Sequence, residues 1–572
     1  MSDPLAFPDL QPDRCLAPSP AASRHLSAVG AAPGPQRSPA RALPLALPAM
    51  LVSLVLLAPY AHKAFTVDDT LFLFQARQAL TTPLTPAATF TVWSTEVERL
   101  SSIMPSGPIT AWLLTPAMAL GGAEWAAHLA VWTLFLLGLW ATVALALRLG
   151  LSRERAAWAG LLVAATPVAL SMAGTCMPDV PAFAFATIGL ERLLAYKQER
   201  RLTQAVACAV ALALGSLTRS HIILLAGVGA LALIDDTRIE RPATWRRLGW
   251  GGLVLLLGAP LLHVAVTLLT RDPWRGHDTV SAMAHFASWR SMDRTSFGFF
   301  THWSVALPLA LPWAVLRRRE LSRKLFVFAL LVGMALLLAA GFQSWWWMTP
   351  LFALGVTVLA DLFVDARQRG DATQLWLLAW LLISLPVVVY VQLPPRYLVP
   401  SAPAVAILLL RRLEGLPLPM ARRWLGAIVA VGLLVGSLIL HADAVFAGLG
   451  RRAANELVAP RVAAGQTVWF WGHWGFQFYA ERAGARPLTL SPPHPRSGDA
   501  VIVDDGALPN DHQGLDLPVE FENRVGTLVH DWPGPRLMAA GAGYFSTHWG
   551  FLPISWGTKA LDRFDVYEVQ TP

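Results

Sequence analysis

Between Leu43 and Leu440 the chain repeats one feature that leaves few folds open to it: apolar runs of roughly 15 to 23 residues, separated by short polar connections. In lipid, every backbone polar group must be bonded within its own segment, so runs of this kind fold as helices that cross or lie in a membrane. They extend from Leu43 to His62 and Trp125 to Leu147, through Ala156 to Ala173, His221 to Ile234 and Tyr397 to Leu410, to Trp424 to Leu440. Counted in order they number about thirteen. Composition agrees: 55% of the residues are hydrophobic and 14% charged, a balance foreign to a soluble domain.

The net charge of +8 would suggest nucleic-acid binding in a soluble protein. Here the positive residues gather in alternate connections instead. With the N-terminus (Arg14, Arg24, Arg37, Arg41) cytoplasmic, the loops carrying Arg153/Arg155, Arg200/Arg201, Arg246/Arg247, Arg317/Arg318/Arg319, Arg367/Arg369 and Arg411/Arg412 are cytoplasmic as well, as the positive-inside rule requires. No nucleic-acid partner is expected. An odd number of spans places everything after Leu440 outside. Few Lys against many Arg, with heavy Ala and Leu use, points to a bacterium of high genomic GC, and so to the inner (plasma) membrane and a periplasmic outer side.

The expected division is a disordered cytoplasmic tail at 1–41, an all-α membrane domain at 42–443 with a first outer loop at 63–124, and a small periplasmic α/β domain at 444–572. In the first outer loop, "GPITAWLLTPAMALGG" (Gly107 to Gly122) is apolar but too short and Pro/Gly-interrupted to span, and reads as a helix lying at the interface. The terminal part has strand-like "QTVWFWG", "RPLTL", "DAVIVDDG" and "DRFDVYEVQ", with a helix at "GFQFYAERAGA". Cys15, Cys176 and Cys208 form neither a disulfide framework nor a thiolate metal motif.

Chemistry-bearing residues collect on the outer side. "AFTVDDTLFLFQARQAL" opens with Asp68 and Asp69 immediately beyond the first span. Adjacent carboxylates repel and lose hydration near lipid, so a plain loop gains nothing from the pair. A helix N-cap is the ordinary explanation for one of them; a general base at the membrane boundary is the functional one. Asp179, between Pro178 and Pro181 in "MPDVPAFAF", faces the same compartment. Among the short outer connections, only "LTRSH" (Arg219, His221) and "QLPPRYLVP" (Arg396, Tyr397) break the charge rule. A guanidinium there suits a phosphate, through its bidentate fork, unless it snorkels to head groups.

Two weaker signals complete the set. Glu96 and Glu98 in the first outer loop and His277 and His285 in "RDPWRGHDTVSAMAHFASW" are candidate ligands for a divalent metal ion, although their spacing matches no zinc signature. A divalent cation is accordingly the one cofactor left open. In the terminal part Trp469, Trp471, Trp474, Phe476 and Tyr479 suit either a sugar-stacking face or a strand core.

Together, "TVDDTLFLFQARQAL", "MPSGPITAWLL", "MPDVPAFAF", "LTRSHIILL" and "PPRYLVPSAPAVAILLL" make the region from about residue 42 to 440 resemble membrane glycosyltransferases that use lipid-linked sugars. The resemblance is to the protein O-mannosyltransferase and aminoarabinose transferase superfamily of the GT-C fold (glycosyltransferase family 39-like). It implies that Asp68 is the base, with Asp179 lining the same cavity; the family has Glu where this chain has Asp69. It further implies a polyprenyl-phosphate-linked sugar donor, a glycan, lipid or protein acceptor, and contact with membrane lipids. The rival classes are a non-catalytic polytopic protein for envelope polysaccharide assembly or export, and a secondary transporter. The latter would be expected to show an internal repeat and polar residues near mid-bilayer.

Overall fold

The computed structural model describes residues 41–104, 106–233, 243–271, 289–307, 309–506 and 523–570. The N-terminal tail expected to be disordered lies, but for Arg41, outside the described residues. The described chain is mostly helical, with short strands and a sheet region near its end.

Six of its helices are long and apolar enough to cross a membrane by themselves: Ala42–Tyr60, Glu124–Arg148, Gly251–Leu269, Gln343–Arg369, Ala372–Val389 and Leu418–Ala463. Trp289–Val305 and Ala310–Leu316, bent by 61°, would make a seventh if taken as one span. The remaining apolar runs are shorter or broken. The run expected from Ala156 to Ala173 divides into Arg153–Ala164 and Pro167–Met172, because Pro167 has no N–H with which to continue the first helix. The run from His221 begins as a tight turn, Ser220–Leu224, before Leu225–Leu233. That from Tyr397 likewise starts inside the turn Pro395–Ser401 and becomes helical at Ala402–Arg412. Every residue of Pro167–Met172 is buried, and broken helices are tolerated where neighbouring protein covers the freed backbone groups.

Backbones approach closely where glycine permits it. A Cβ on Gly432, in the last long helix, would stand 2.1 Å from the carbonyl oxygen of Ala165, and one on Gly355 would stand 2.0 Å from that of Phe300. Small residues at such crossings give membrane helices their van der Waals contact, since lipid supplies no hydrophobic drive between them. The helix Ile109–Ala119 falls inside the expected interfacial segment. Its 11 residues reach about 16 Å, roughly half the hydrocarbon thickness.

The helix Leu418–Ala453 runs unbroken through the expected domain boundary at 443 and leads into the terminal region. There a five-stranded mixed sheet has the order Arg486–Pro487, Val468–Trp471, Ala500–Asp504, Ala560–Glu568, Arg524–Asp531. The first three strands are parallel and the last two pair antiparallel. Val468–Trp471 and Ala500–Asp504 are buried along their whole lengths, as continuous apolar strands covered on both faces should be. Trp469, Trp471, Phe476 and Tyr479 are all buried, which makes these aromatics core and not a sugar-stacking face. The helix Trp474–Arg482 seats this region on the membrane part. A Cβ on Gly475 would lie 2.3 Å from the carbonyl oxygen of Phe65, so glycine lets the terminal helix rest on the backbone just before Asp68.

Candidate active site

The turn after the first long helix sets the site. Val67 adopts φ +40°, a left-handed conformation that a β-branched residue rarely takes, and it reverses the chain just before the two acids. Their roles then separate. Asp69 is fully buried; its Oδ2 accepts the Thr66 amide at 3.0 Å and its Oδ1 the Cys176 amide at 2.8 Å. Asp68 keeps 29% of its side chain exposed, and its Oδ2 accepts from Arg396 Nη2 at 2.8 Å.

Of the two candidate acids, Asp69 is the one held by the fold. Asp69 ties the segment after the first long helix to the turn that carries Asp179, and both its oxygens are committed to backbone donors. Burial pushes its carboxyl up to about 7, against the nearby Lys63 charge and the two amide bonds. A carboxyl raised in the fold stabilises it in protonated form; that contribution is whole below the unfolded value near 3.8 and is lost as pH climbs through about 7. The melting temperature of the purified protein should therefore fall between pH 4 and 7. Asp69→Asn should start lower, because its amide NH₂ faces a backbone donor, and should show a flatter fall; parallel curves for the two proteins would remove Asp69 as the cause.

Asp179 begins the helix Asp179–Glu199 and is fully buried. Arg219 donates to it through both Nε (3.1 Å) and Nη2 (2.9 Å), a bidentate pair that occupies one whole edge of the guanidinium. Tyr397 joins the two halves of the site. The Arg219 guanidinium lies 4.2 Å from its ring centroid and that of Arg396 5.7 Å, both within cation–π range. His221 stacks on the same ring with centroids 6.4 Å apart. Asp68, Asp179, Arg219, His221, Arg396 and Tyr397, drawn from four distant parts of the chain, thus converge.

Arg396 does not snorkel. It is 2% exposed, with Nη1 against the Met177 sulfur, Nη2 on Asp68 and Nε buried without a partner. Nε and Nη2 project from the same edge of a guanidinium. That edge, filled on Arg219, is half used on Arg396.

Other neighbours escaped the sequence reading. Lys63 Nζ forms a buried ion pair with Asp443 at 2.8 Å, beside Asp69. Lys63 and Asp443 are ionisable residues at the ends of apolar runs, a signal the sequence offered. Ser171, Tyr544 and Phe545 reach the site with no local signal. Of the metal candidates, Glu96 accepts from Ser491 at 2.8 Å and Glu98 accepts from Ser94, while His277 and His285 lie outside the described residues. Among the described residues no three His, Cys, Asp or Glu side chains are grouped as metal ligands.

Residues 105–263 match the family described as dolichyl-phosphate-mannose-protein mannosyltransferase. No curated protein matches the chain. Among solved structures, ArnT from Cupriavidus metallidurans bound to undecaprenyl phosphate is similar with TM-score 0.49 and 16% identity, over 80% of this chain and 93% of that one. The oligosaccharyltransferase AglB from Archaeoglobus fulgidus, in complex with an inhibitory peptide and a dolichol-phosphate, has TM-score 0.44 and 11% identity, over 78% and 64%. The arabinofuranosyltransferase AftD from Mycobacteria has TM-score 0.44 and 15% identity, over 94% and 40%. With the family match falling on the segment that supplies Asp179, Arg219 and His221, the likeness to GT-C membrane glycosyltransferases first read from the motifs stands.

Proposed function

We propose that the protein is an integral membrane glycosyltransferase that moves a sugar from a polyprenyl-phosphate-linked donor to an acceptor hydroxyl on the periplasmic side. The observation that carries this reading is the pairing of Asp68, the more open acid, with the half-used edge of Arg396, next to the closed Asp179–Arg219 pair. A carboxylate beside a phosphate-seeking guanidinium is what a displacement at a sugar phosphate needs.

In this mechanism the donor phosphate takes the free Nε of Arg396 and competes with Asp68 for Nη2. Asp68, released, accepts the proton of the acceptor hydroxyl as that oxygen bonds to the anomeric carbon. The anomeric carbon–phosphate oxygen bond breaks, and its electron pair leaves with the polyprenyl phosphate. Arg396 offsets the charge building on the departing group, in surroundings with little water to screen it. Arg219 holds Asp179 and stacks on Tyr397, keeping the wall of the cavity fixed. The outer side has no supply of nucleotide sugars, which favours a donor carried through the membrane on a lipid. The 42–443 part would hold the lipid tail, and the 444–572 part would cover the site from the periplasm.

Two measurements test this. Purified protein should transfer sugar from a polyprenyl-phosphate donor, and mass spectrometry should find a polyprenyl phosphate co-purifying; a protein that retains no such lipid and transfers from none of a donor panel is no transferase of this kind. Single cysteines at the exposed positions 82, in the segment after Asp68, and 505, in the terminal region, should label from the same side of intact cells. Labelling from opposite faces would overturn the topology and the site with it.

A further inference from the structure

The corner between the short strands Gly541–Gly543 and Gly550–Leu552 of the terminal region reaches into the membrane part. Tyr544 and Thr547 are completely buried, and Phe545 is 2% exposed. Three elements hold the corner. The Tyr544 hydroxyl hydrogen-bonds Ser171 in the helix Pro167–Met172; the Leu393 amide donates to Thr547 Oγ1 at 3.4 Å; Arg294 Nη1 meets His548 Nδ1 at 3.1 Å. Held this way, the Phe545 ring centroid lies 5.8 Å from the Arg396 guanidinium carbon.

We propose that the Tyr544–Phe545 corner is a wall of the anion site, with Phe545 covering Arg396 and Tyr544 positioning Phe545 through Ser171. This rests on the reading of Arg396 as the donor-phosphate ligand. Arg396 then has two rings within cation–π range, Tyr397 from the membrane part and Phe545 from the terminal part. An aromatic face attracts the guanidinium and keeps water off it, and a charge in a drier site binds a phosphate more strongly. The terminal region would thereby be part of the binding site, and a donor phosphate would bind in full only where the corner is seated.

The probes are undecaprenyl phosphate and undecaprenol, bound to the full-length protein in nanodiscs. A wall acting on the phosphate predicts that, measured on the folded protein, Phe545→Ala weakens undecaprenyl phosphate about tenfold while undecaprenol binding holds, so the preference for phosphate over alcohol collapses; loss of the buried ring lowers the melting temperature as well. Tyr544→Phe should lose part of that preference and Ser171→Ala the same part, with no further loss in the double variant, because both remove one hydrogen bond. An equal loss of both lipids in Phe545→Ala would make the corner a structural support only and overturn the proposal. An unchanged phosphate preference in Phe545→Ala, with Arg396→Ala impaired, would also overturn it while leaving the site reading intact. If Arg396→Ala kept the preference too, the reading of the site would fall along with its wall.

Discussion

Asp68→Asn should abolish measurable transfer, a loss on the order of 10² to 10⁴ in rate for a missing general base, while undecaprenyl phosphate binding is kept or tightened, an amide competing less than a carboxylate for Arg396 Nη2, and the melting temperature stays close to the parent's. The expectation rests on what the amide keeps. The substituted side chain retains a carbonyl oxygen that can accept from Arg396 Nη2 at the same 2.8 Å, so the contact between the first outer loop and Pro395–Ser401 survives; it has no basicity with which to take the acceptor's proton. Asp68 is also more open than its neighbour, which limits the structural cost of the change. Asp69→Asn is the contrasting variant. It breaks one of two amide bonds that join this loop to the Asp179 turn, and its loss should show first in stability, about 1–3 kcal/mol for a buried donor left unpaired. Full transfer in Asp68→Asn, followed with a lipid-linked donor, would remove Asp68 as the base. A loss of rate that merely tracked a loss of folded protein would leave it a structural residue.

Sequence carried the charged centre of this molecule further than its helices. Arg219 and Arg396 stood out because a guanidinium in a short outer connection breaks a charge rule that holds elsewhere along the chain, and a broken rule is visible without knowing the fold. The pairing of those arginines was not visible: that Arg396 meets Asp68 across 328 positions, and Arg219 meets Asp179 across 40, is set by helix packing. The division of labour in "DD" was equally hidden, since it follows from Val67 at positive φ and from the Cys176 amide 107 positions away. Spans were marked by hydropathy, which measures how apolar a stretch is and not whether it is one helix. Pro167 and the prolines around Arg396 break such stretches into pieces that neighbouring helices cover. In the terminal region the strands Val468–Trp471, Ala500–Asp504 and Ala560–Glu568 and the helix before Gly484 were legible from period and turn residues, and the sheet strand Arg524–Asp531 was not. The approach of Tyr544 and Phe545 to the site had no counterpart in local pattern, because a docking corner has no period.

The two arginines should fail in different ways, and that difference tests the phosphate assignment most directly. Arg396 has a buried Nε without a partner beside an Nη2 shared with a partly open carboxylate. Removing it in Arg396→Ala deletes the free donor edge and strands no deeply buried charge, so the loss should fall on the ligand: about 1.5 to 3 kcal/mol of undecaprenyl phosphate affinity, the worth of hydrogen bonds to a charged group. Arg396→Lys should recover little of it, because an ammonium is a point donor and cannot offer two parallel N–H groups from one edge. Arg219 has already given that edge to Asp179, which is completely buried. Arg219→Ala leaves an unpaired buried carboxylate, and the cost of breaking such a pair, about 3 to 5 kcal/mol, should appear as lost stability with a smaller change in affinity among the molecules that remain folded. Binding and melting curves on the same preparations separate the two cases. If Arg396→Lys binds as tightly as the parent, a simple positive charge suffices there and the fork is not what recognises the phosphate; if Arg219→Ala loses the more affinity and Arg396→Ala the more stability, the phosphate belongs at Arg219 and the roles are reversed.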